Sequence, residues 1–199
     1  MDADVEQAVA FHGHMCPGLA IGVRAARYAL REIGAHAQDE EVVALVETDM
    51  CAVDAIQSLV GCTFGKGNLL HRDYGKNAFT FYRRSDGKGV RLLTRPDAFG
   101  PRDPANEELG KRSRSAKASP EDRERFRELQ RSRTDAILQC DEAALFASAP
   151  VTAGPPRPAR IHTSLPCEEC GEPTMETRSR RFEGRALCIP CFDRADIRT

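Results

Sequence analysis

Two Cys-x-x-Cys pairs near the end of the chain, Cys167-Glu-Glu-Cys170 and Cys188-Ile-Pro-Cys191, constrain its folding more than any other feature. Only 17 residues separate the pairs, so the module they bracket has little hydrophobic core of its own, and a bound ion must supply its cohesion. Each pair forms a tight knuckle that presents two sulfurs to one side. Two knuckles close a tetrahedral zinc site with Zn–S distances of about 2.3 Å. Gly171, directly after the first pair, permits the positive φ that turns backbone N–H groups toward the sulfurs. Glu183-Gly184 suits a hairpin tip between the knuckles, and Phe182 and Leu187 are the apolar residues placed to pack beside the metal. Four thiolates leave no open coordination position, so this zinc is expected to be structural.

Cysteine is unusually frequent in the remainder of the chain as well. There are eight in 199 residues, and three of them, Cys16, Cys51 and Cys62, fall in the first third, with Cys140 alone between the groups. The balance of 29 Lys+Arg against 30 Asp+Glu excludes a protein whose main business is wrapping polyanions, so a nucleic-acid partner is not expected. No apolar window is long enough to span a bilayer, and Met1 to Ala10 carries three acids and no basic residue, unlike a secretory leader. The chain is therefore read as cytoplasmic, with no membrane partner. In that compartment clustered cysteines signal metal or redox chemistry rather than disulfides.

Periodicity divides the sequence into three parts. Residues 1–95 read as an α+β core. Val5 to Phe11 is a helical turn, and Pro17 opens a helix with an apolar stripe of Leu19, Val23, Ala26, Leu30 and Ile33 that Gly34 ends. Val42 to Val46 is a buried strand. Thr48 or Asp49 caps a second helix running to Gly61, and Asn77 to Arg84, Asp86-Gly87 and Val90 to Leu93 form a hairpin, giving a small antiparallel sheet. Residues 96–154 read as linker and helical connector: Pro96 to Ala118 lacks periodicity, Ser119-Pro120 starts a helix reaching about Gln139 with a break near Thr134, and a short helical piece covers Glu142 to Phe146. Pro150, Pro155, Pro156 and Pro158 make a stiff linker, and residues 155–199 carry the zinc ribbon.

His12-Gly-His14-Met-Cys16 is the second constellation. In an extended segment residues i, i+2 and i+4 point the same way, so His12, His14 and Cys16 can face one point. Cys16 stands at a helix N-terminus, where the dipole favours a thiolate. Cys51 starts the next helix and Cys62 lies just past its end. The candidate ligand set is His14, Cys16, Cys51 and Cys62, with His12 as a further candidate; imidazole with thiolate suits zinc best, nickel or iron being the other candidates. With an open position the ion would face a small-molecule ligand, and His12, Cys16, Asp54 and Lys66 are the candidate catalytic groups: His12 or Asp54 to move a proton, Lys66 to orient an anionic or carbonyl group. Glu47, Asp49 and Asp54 are candidates to orient a metal-bound histidine. A packed, metal-free loop and a thiol redox pair of Cys16 with Cys51 or Cys62 remain open alternatives. Gly61-Cys-Thr-Phe-Gly-Lys66 is one residue short of a P-loop before its Gly-Lys and has no Ser or Thr after Lys66, which excludes nucleotide hydrolysis.

Four strings in order, Phe11-His-Gly-His-Met-Cys-Pro-Gly-Leu19, Glu47-Thr-Asp-Met-Cys-Ala-Val-Asp-Ala-Ile-Gln57, Gly61-Cys-Thr-Phe-Gly-Lys-Gly-Asn-Leu69 and Asp73-Tyr-Gly-Lys76, resemble the FmdE family, which takes its name from formylmethanofuran dehydrogenase. The resemblance covers about Val5 to Leu93, and the tail is similar to zinc fingers of the DksA/TraR type. It implies an α+β homodimer with a metal centre at the positions His12, His14, Cys16 and Cys51, with Cys62 close behind. It implies no reaction: the parent enzyme's chemistry runs on molybdenum or tungsten and iron–sulfur centres in other subunits, and nothing here resembles those. The expectation is therefore an accessory or redox-linked metal protein; a metal-delivery protein for molybdenum enzymes and a zinc-ribbon regulator are the alternatives.

Overall fold

Pro17 fixes the start of the helix around which the first part of the structure is built. The computed structural model describes residues 2–98 and 103–197, and the chain divides into two units, one ending at Pro158 and the other beginning at Ala159. In the first, α1 (Ala3–His12) leads to α2 (Pro17–Glu32), β1 (Val42–Val46) and α3 (Ala52–Ala55), which continues as a π-helical turn over Ile56–Val60. Strands β2 (Leu69–His71), β3 (Ala78–Arg83) and β4 (Gly89–Thr94) come next, then α4 (Pro104–Arg114), α5 (Pro120–Gln139), α6 (Glu142–Leu145) and β5 (Phe146–Pro150).

Helix α2 is buried far beyond the single stripe its heptad-like spacing predicts. Ala20, Ile21, Gly22, Ala25 and Ala29 are as inaccessible as Leu19, Val23, Ala26 and Ile33. The small residues between the large ones allow α1, α3, the sheet and α5 to approach on several sides. Arg24 is buried as well, because its Nη1 donates to the carbonyls of Ile137 (2.7 Å), Leu138 (3.0 Å) and Cys140 (2.8 Å). It thereby satisfies the open C-terminal carbonyls of α5.

The sheet is mixed, in the order β2-β1-β3-β4-β5. The expected antiparallel ladder holds for β1, β3 and β4, with Ala44 opposite Phe81 and Phe81 opposite Val90. Two edge strands enlarge it. β2 joins β1 in parallel, Ala44 opposite Leu69. β5 joins β4, Val90 opposite Pro150, where sequence alone suggests the end of a helix and a proline linker. Proline is tolerated there because an edge strand does not need every N–H. Val42, Ala44, Val46, Leu69, Phe79, Phe81, Val90, Leu92 and Phe146 form the sheet's contribution to the helical core.

The connector is also more ordered than its composition suggests. The aperiodic stretch contains α4, started by Asp103 accepting from the Ala105 N–H (2.9 Å) and by Pro104. Helix α5 runs unbroken through Thr134, whose hydroxyl donates to the Gln130 carbonyl (2.8 Å) inside the helix. Its Thr134 and Ile137 are buried, and α5 packs on α2.

In the second unit two antiparallel hairpins, β6 (Ser164–Pro166) with β7 (Pro173–Met175) and β8 (Ser179–Phe182) with β9 (Arg185–Cys188), precede α7 (Ile189–Ala195). Its interior is Cys167, Leu187, Cys188 and Cys191, with Phe182 and Phe192 packed against them. The two phenylalanine rings meet edge to face at 5.7 Å. Glu183-Gly184 makes the hairpin tip with φ of 48° and 82°. Among the described residues no helix is long and apolar enough to cross a membrane.

Candidate metal centres

The four sulfurs of the second unit, Cys167, Cys170, Cys188 and Cys191, lie within 4.8 Å of one another. Gly171 adopts φ 77°, as the knuckle requires. Cys167 Sγ accepts the Cys188 N–H (3.2 Å), and backbone N–H groups of Cys170, Cys188 and Glu169 draw its thiol down to about 6. Arg194 Nη2 reaches Cys191 Sγ at 3.0 Å. Donor type, convergence and N–H···S bonds all fit a structural zinc.

The first unit assembles a different set. His12 ends α1, and Gly13 caps it at φ 96° with its N–H on Val9 O (2.8 Å). The chain is therefore helical, not extended, up to His12, and the alternation expected of His12, His14 and Cys16 does not arise. His12, Cys16 and Cys51 each place a ligand atom within 4.8 Å of the other two. His14 lies outside this cluster, its ring 4.6 Å from that of His12.

Backbone packing brings the thiols together. Cys16 caps α2, its Sγ accepting the Leu19 N–H at 3.3 Å, and Cys51 precedes α3. Helices α2 and α3 touch backbone to backbone at Gly22: a Cβ there would stand 2.3 Å from Ala52 O. One turn earlier, a Cβ on Gly18 would sit 3.2 Å from Cys51 Cβ and 3.9 Å from Cys16 Sγ. Two glycines four residues apart thus set the separation of the helix starts. Burial, and then the adjacent Cys16, push the Cys51 thiol up.

His12 is oriented for ligation. Its Nδ1 meets Asp54 Oδ2 at 2.7 Å, and a carboxylate there accepts, so Nδ1 carries a proton and, in the neutral ring, Nε2 offers the lone pair. Nε2 is buried without a hydrogen-bond partner. Of the three acids considered for this role only Asp54 takes it. Glu47 is bound by Arg91 at 2.6 and 2.9 Å, which holds its carboxyl below the usual range, and Asp49 is exposed.

Cys62 and Lys66 are placed elsewhere. Gly61 (φ 77°) ends the π turn and sends the chain toward β1, where Cys62 Sγ donates to Val42 O (3.4 Å), and burial drives its thiol up to about 12. Lys66 Nζ donates to Ala37 O at 2.8 Å. Cys140 caps α5, its thiol on Ile137 O at 3.4 Å.

Cys16 and Cys51 open onto a cleft of about 640 Å³ that Thr48, Asp49, Asn77 and Gln130 also line. Asn77 Oδ1 is buried with no partner, the second such atom at this site. Asn77 comes directly after the Asp73 to Lys76 string, whose position hints at it; nothing in the sequence marks Gln130, which comes from the apparent connector.

The sequence family described as FmdE, molybdenum formylmethanofuran dehydrogenase operon, matches residues 11–147. The chain belongs to the FmdE family. Residues 160–196 match the prokaryotic dksA/traR C4-type zinc finger. A protein of Archaeoglobus fulgidus named probable S-adenosyl-L-methionine-binding protein is 33% identical over 192 residues, 93% of this chain. The chain spans about half of that curated relative, 51% of its length. Among solved structures, a tungsten formylmethanofuran dehydrogenase FmdE-like protein from Syntrophus aciditrophicus shares the fold with TM-score 0.61 and 23% identity, over 98% of this chain and 92% of the other.

Proposed function

We propose that this FmdE-family protein is an accessory or redox-linked metal protein whose working centre is an ion held by His12 Nε2, Cys16 Sγ and Cys51 Sγ at the floor of the cleft. Zinc fits best, with nickel and iron next. The carrying observation is the partnerless, buried His12 Nε2 beside two thiols, with Nδ1 already committed to Asp54. A buried imidazole nitrogen left unpaired costs about 1–3 kcal/mol, which ligation removes. Three protein ligands suit a catalytic or ligand-binding zinc, which supplies Lewis-acid polarisation of whatever takes its remaining position. The chain's own groups would do the rest. Asp54 fixes the tautomer of His12, the Leu19 N–H supports the Cys16 sulfur, and Asn77 Oδ1 accepts a hydrogen bond from a ligand in the cleft. Lys66, held on Ala37 O, has no part in this version of the site. The name of the Archaeoglobus relative favours a second reading of the cleft, as a site for S-adenosylmethionine.

Cobalt substitution tests the reading. In a Cys170→Ser variant, which isolates the first centre, bound cobalt should show thiolate charge-transfer bands whose ligand-field region shifts when azide is added. A spectrum indifferent to azide contradicts the open position. Asp54→Asn should weaken metal binding at this centre by roughly 10- to 100-fold. S-adenosylmethionine in place of azide tests the second reading.

A further inference from the structure

The helices α4 and α5, which read as a connector, enclose a concavity of about 350 Å³ whose wall carries Lys111, Arg114 and Arg133 against a single carboxylate, Glu107. Three cations less one anion leave a net charge of +2. Several cations of this hairpin have acids in reach, one of the three included: Lys111 pairs with Glu108 at 3.9 Å, Arg112 with Asp122 at 3.1 Å, and Arg127 and Arg131 with Glu124 at 2.6 and 3.6 Å. Arg114 and Arg133 have no ion-pair partner among the described residues; Arg114 lies 6.0 Å over the Phe126 ring instead. Lys111 and Arg114 also complement the C-terminal dipole of α4, but Arg133 stands well before the last turn of α5 and has no such role.

The concavity does not stand alone. Gln130 lines it, lines a second hollow of about 510 Å³ beside Met15, and lines the cleft above Cys16 and Cys51. Phe126 lines the first two. The three spaces therefore meet at Gln130, and Phe126 is shared by the cationic concavity and the hollow beside Met15.

We propose that this cationic concavity is the phosphate subsite of the cleft: the ligand is a small phosphomonoester with a planar or apolar middle that lies on Phe126 and a polar end that reaches Cys16 and Cys51. Two guanidiniums without ion-pair partners, Arg114 on α4 and Arg133 on α5, offer N–H donors from two sides and match a doubly charged tetrahedral oxyanion, whereas a carboxylate, with one charge and two oxygens, is satisfied by a single guanidinium. The proposal deepens the metal-centred reading and rests on it for what happens at the far end, but the phosphate contacts can be measured separately.

The test is calorimetric titration of the zinc-loaded full-length chain at low ionic strength with phenyl phosphate, inorganic phosphate and phenol. Phenyl phosphate should bind, inorganic phosphate should bind more weakly, and phenol should lose roughly tenfold or more. Arg114→Gln with Arg133→Gln should reduce phenyl phosphate binding by at least roughly tenfold without changing zinc content. Arg123→Gln with Arg125→Gln removes the same charge from α5 positions outside the concavity and should leave binding unchanged. Equal losses in both double variants, or no Arg114- and Arg133-dependent binding of either phosphate, would overturn the proposal. In Cys16→Ser, phosphate binding should persist; if it persists while the wild-type chain holds no metal at His12, Cys16 and Cys51, the metal reading fails and the subsite stands.

Discussion

Replacing Cys170 by serine is expected to unfold the whole second unit and leave the first intact. Among its described residues, that unit buries only Leu187 besides Cys167, Cys188 and Cys191, with Phe182 and Phe192 partly covered. Strands of three and four residues cannot hold two hairpins without help. Structural zinc in such modules is worth about 10–16 kcal/mol of apparent binding free energy, which is folding free energy here. Serine offers no thiolate, and the three remaining sulfurs make a far weaker site. Limited proteolysis should then cut among Arg178, Arg180, Arg181 and Arg185, which the folded unit holds in β8, β9 and the turn before them, while the first unit's melting transition stays in place. A variant as protease-resistant as the wild type would show that the hairpins stand without metal.

Gly22→Ala carries the second large effect, and it acts through the backbone. The added Cβ would sit 2.3 Å from Ala52 O, 2.6 Å from its Cα and 2.8 Å from its carbonyl carbon. No rotamer relieves a clash with main chain, so α2 and α3 must separate. Overpacking of this kind costs about 3 kcal/mol or more, the upper part of the usual range. For a unit of this size that lowers Tm by roughly 6–12 °C. The separation also moves Cys51 away from Cys16, so metal at the first centre should be lost before the fold is. Gly18→Ala offers a graded comparison. Its Cβ meets the Cys51 side chain at 3.2 Å rather than backbone, so it should disturb metal binding with a much smaller loss of stability. A Gly22→Ala protein that melts like wild type would contradict the close approach itself.

Much of this was legible in the residues because the relevant signals are local. The Cys-x-x-Cys spacing, the proline and glycine at the ends of α2, and the Asp86-Gly87 turn each specify geometry within a few positions. The β3–β4 hairpin lies where the alternation around that turn puts it. What was illegible depends on tertiary partners. β5 has proline and alanine where strand formers are expected, and it is a strand only because β4 offers an edge. Burial all around α2 comes from neighbours that small residues admit, and amphipathic spacing records only one face. At the site, Cys16 and Cys51 could be read from their helix starts. That His12 and not His14 stands beside the two thiols follows from one fact, that α1 runs on to His12 before Gly13 breaks it. Cys62 was near in sequence but is carried off by the left-handed Gly61. Asn77 and Gln130 come from a strand end and a connecting helix, so no motif joins them to the cysteines.

Metal content per chain, determined on purified wild type beside Cys16→Ser and Cys170→Ser, tests the central claim most directly. The account predicts two ions in the wild type and one in each variant, because the His12–Cys16–Cys51 centre and the four-cysteine zinc are independent. One ion in the wild type, unchanged in Cys16→Ser and lost only in Cys170→Ser, would contradict it and leave His12, Cys16 and Cys51 without a metal.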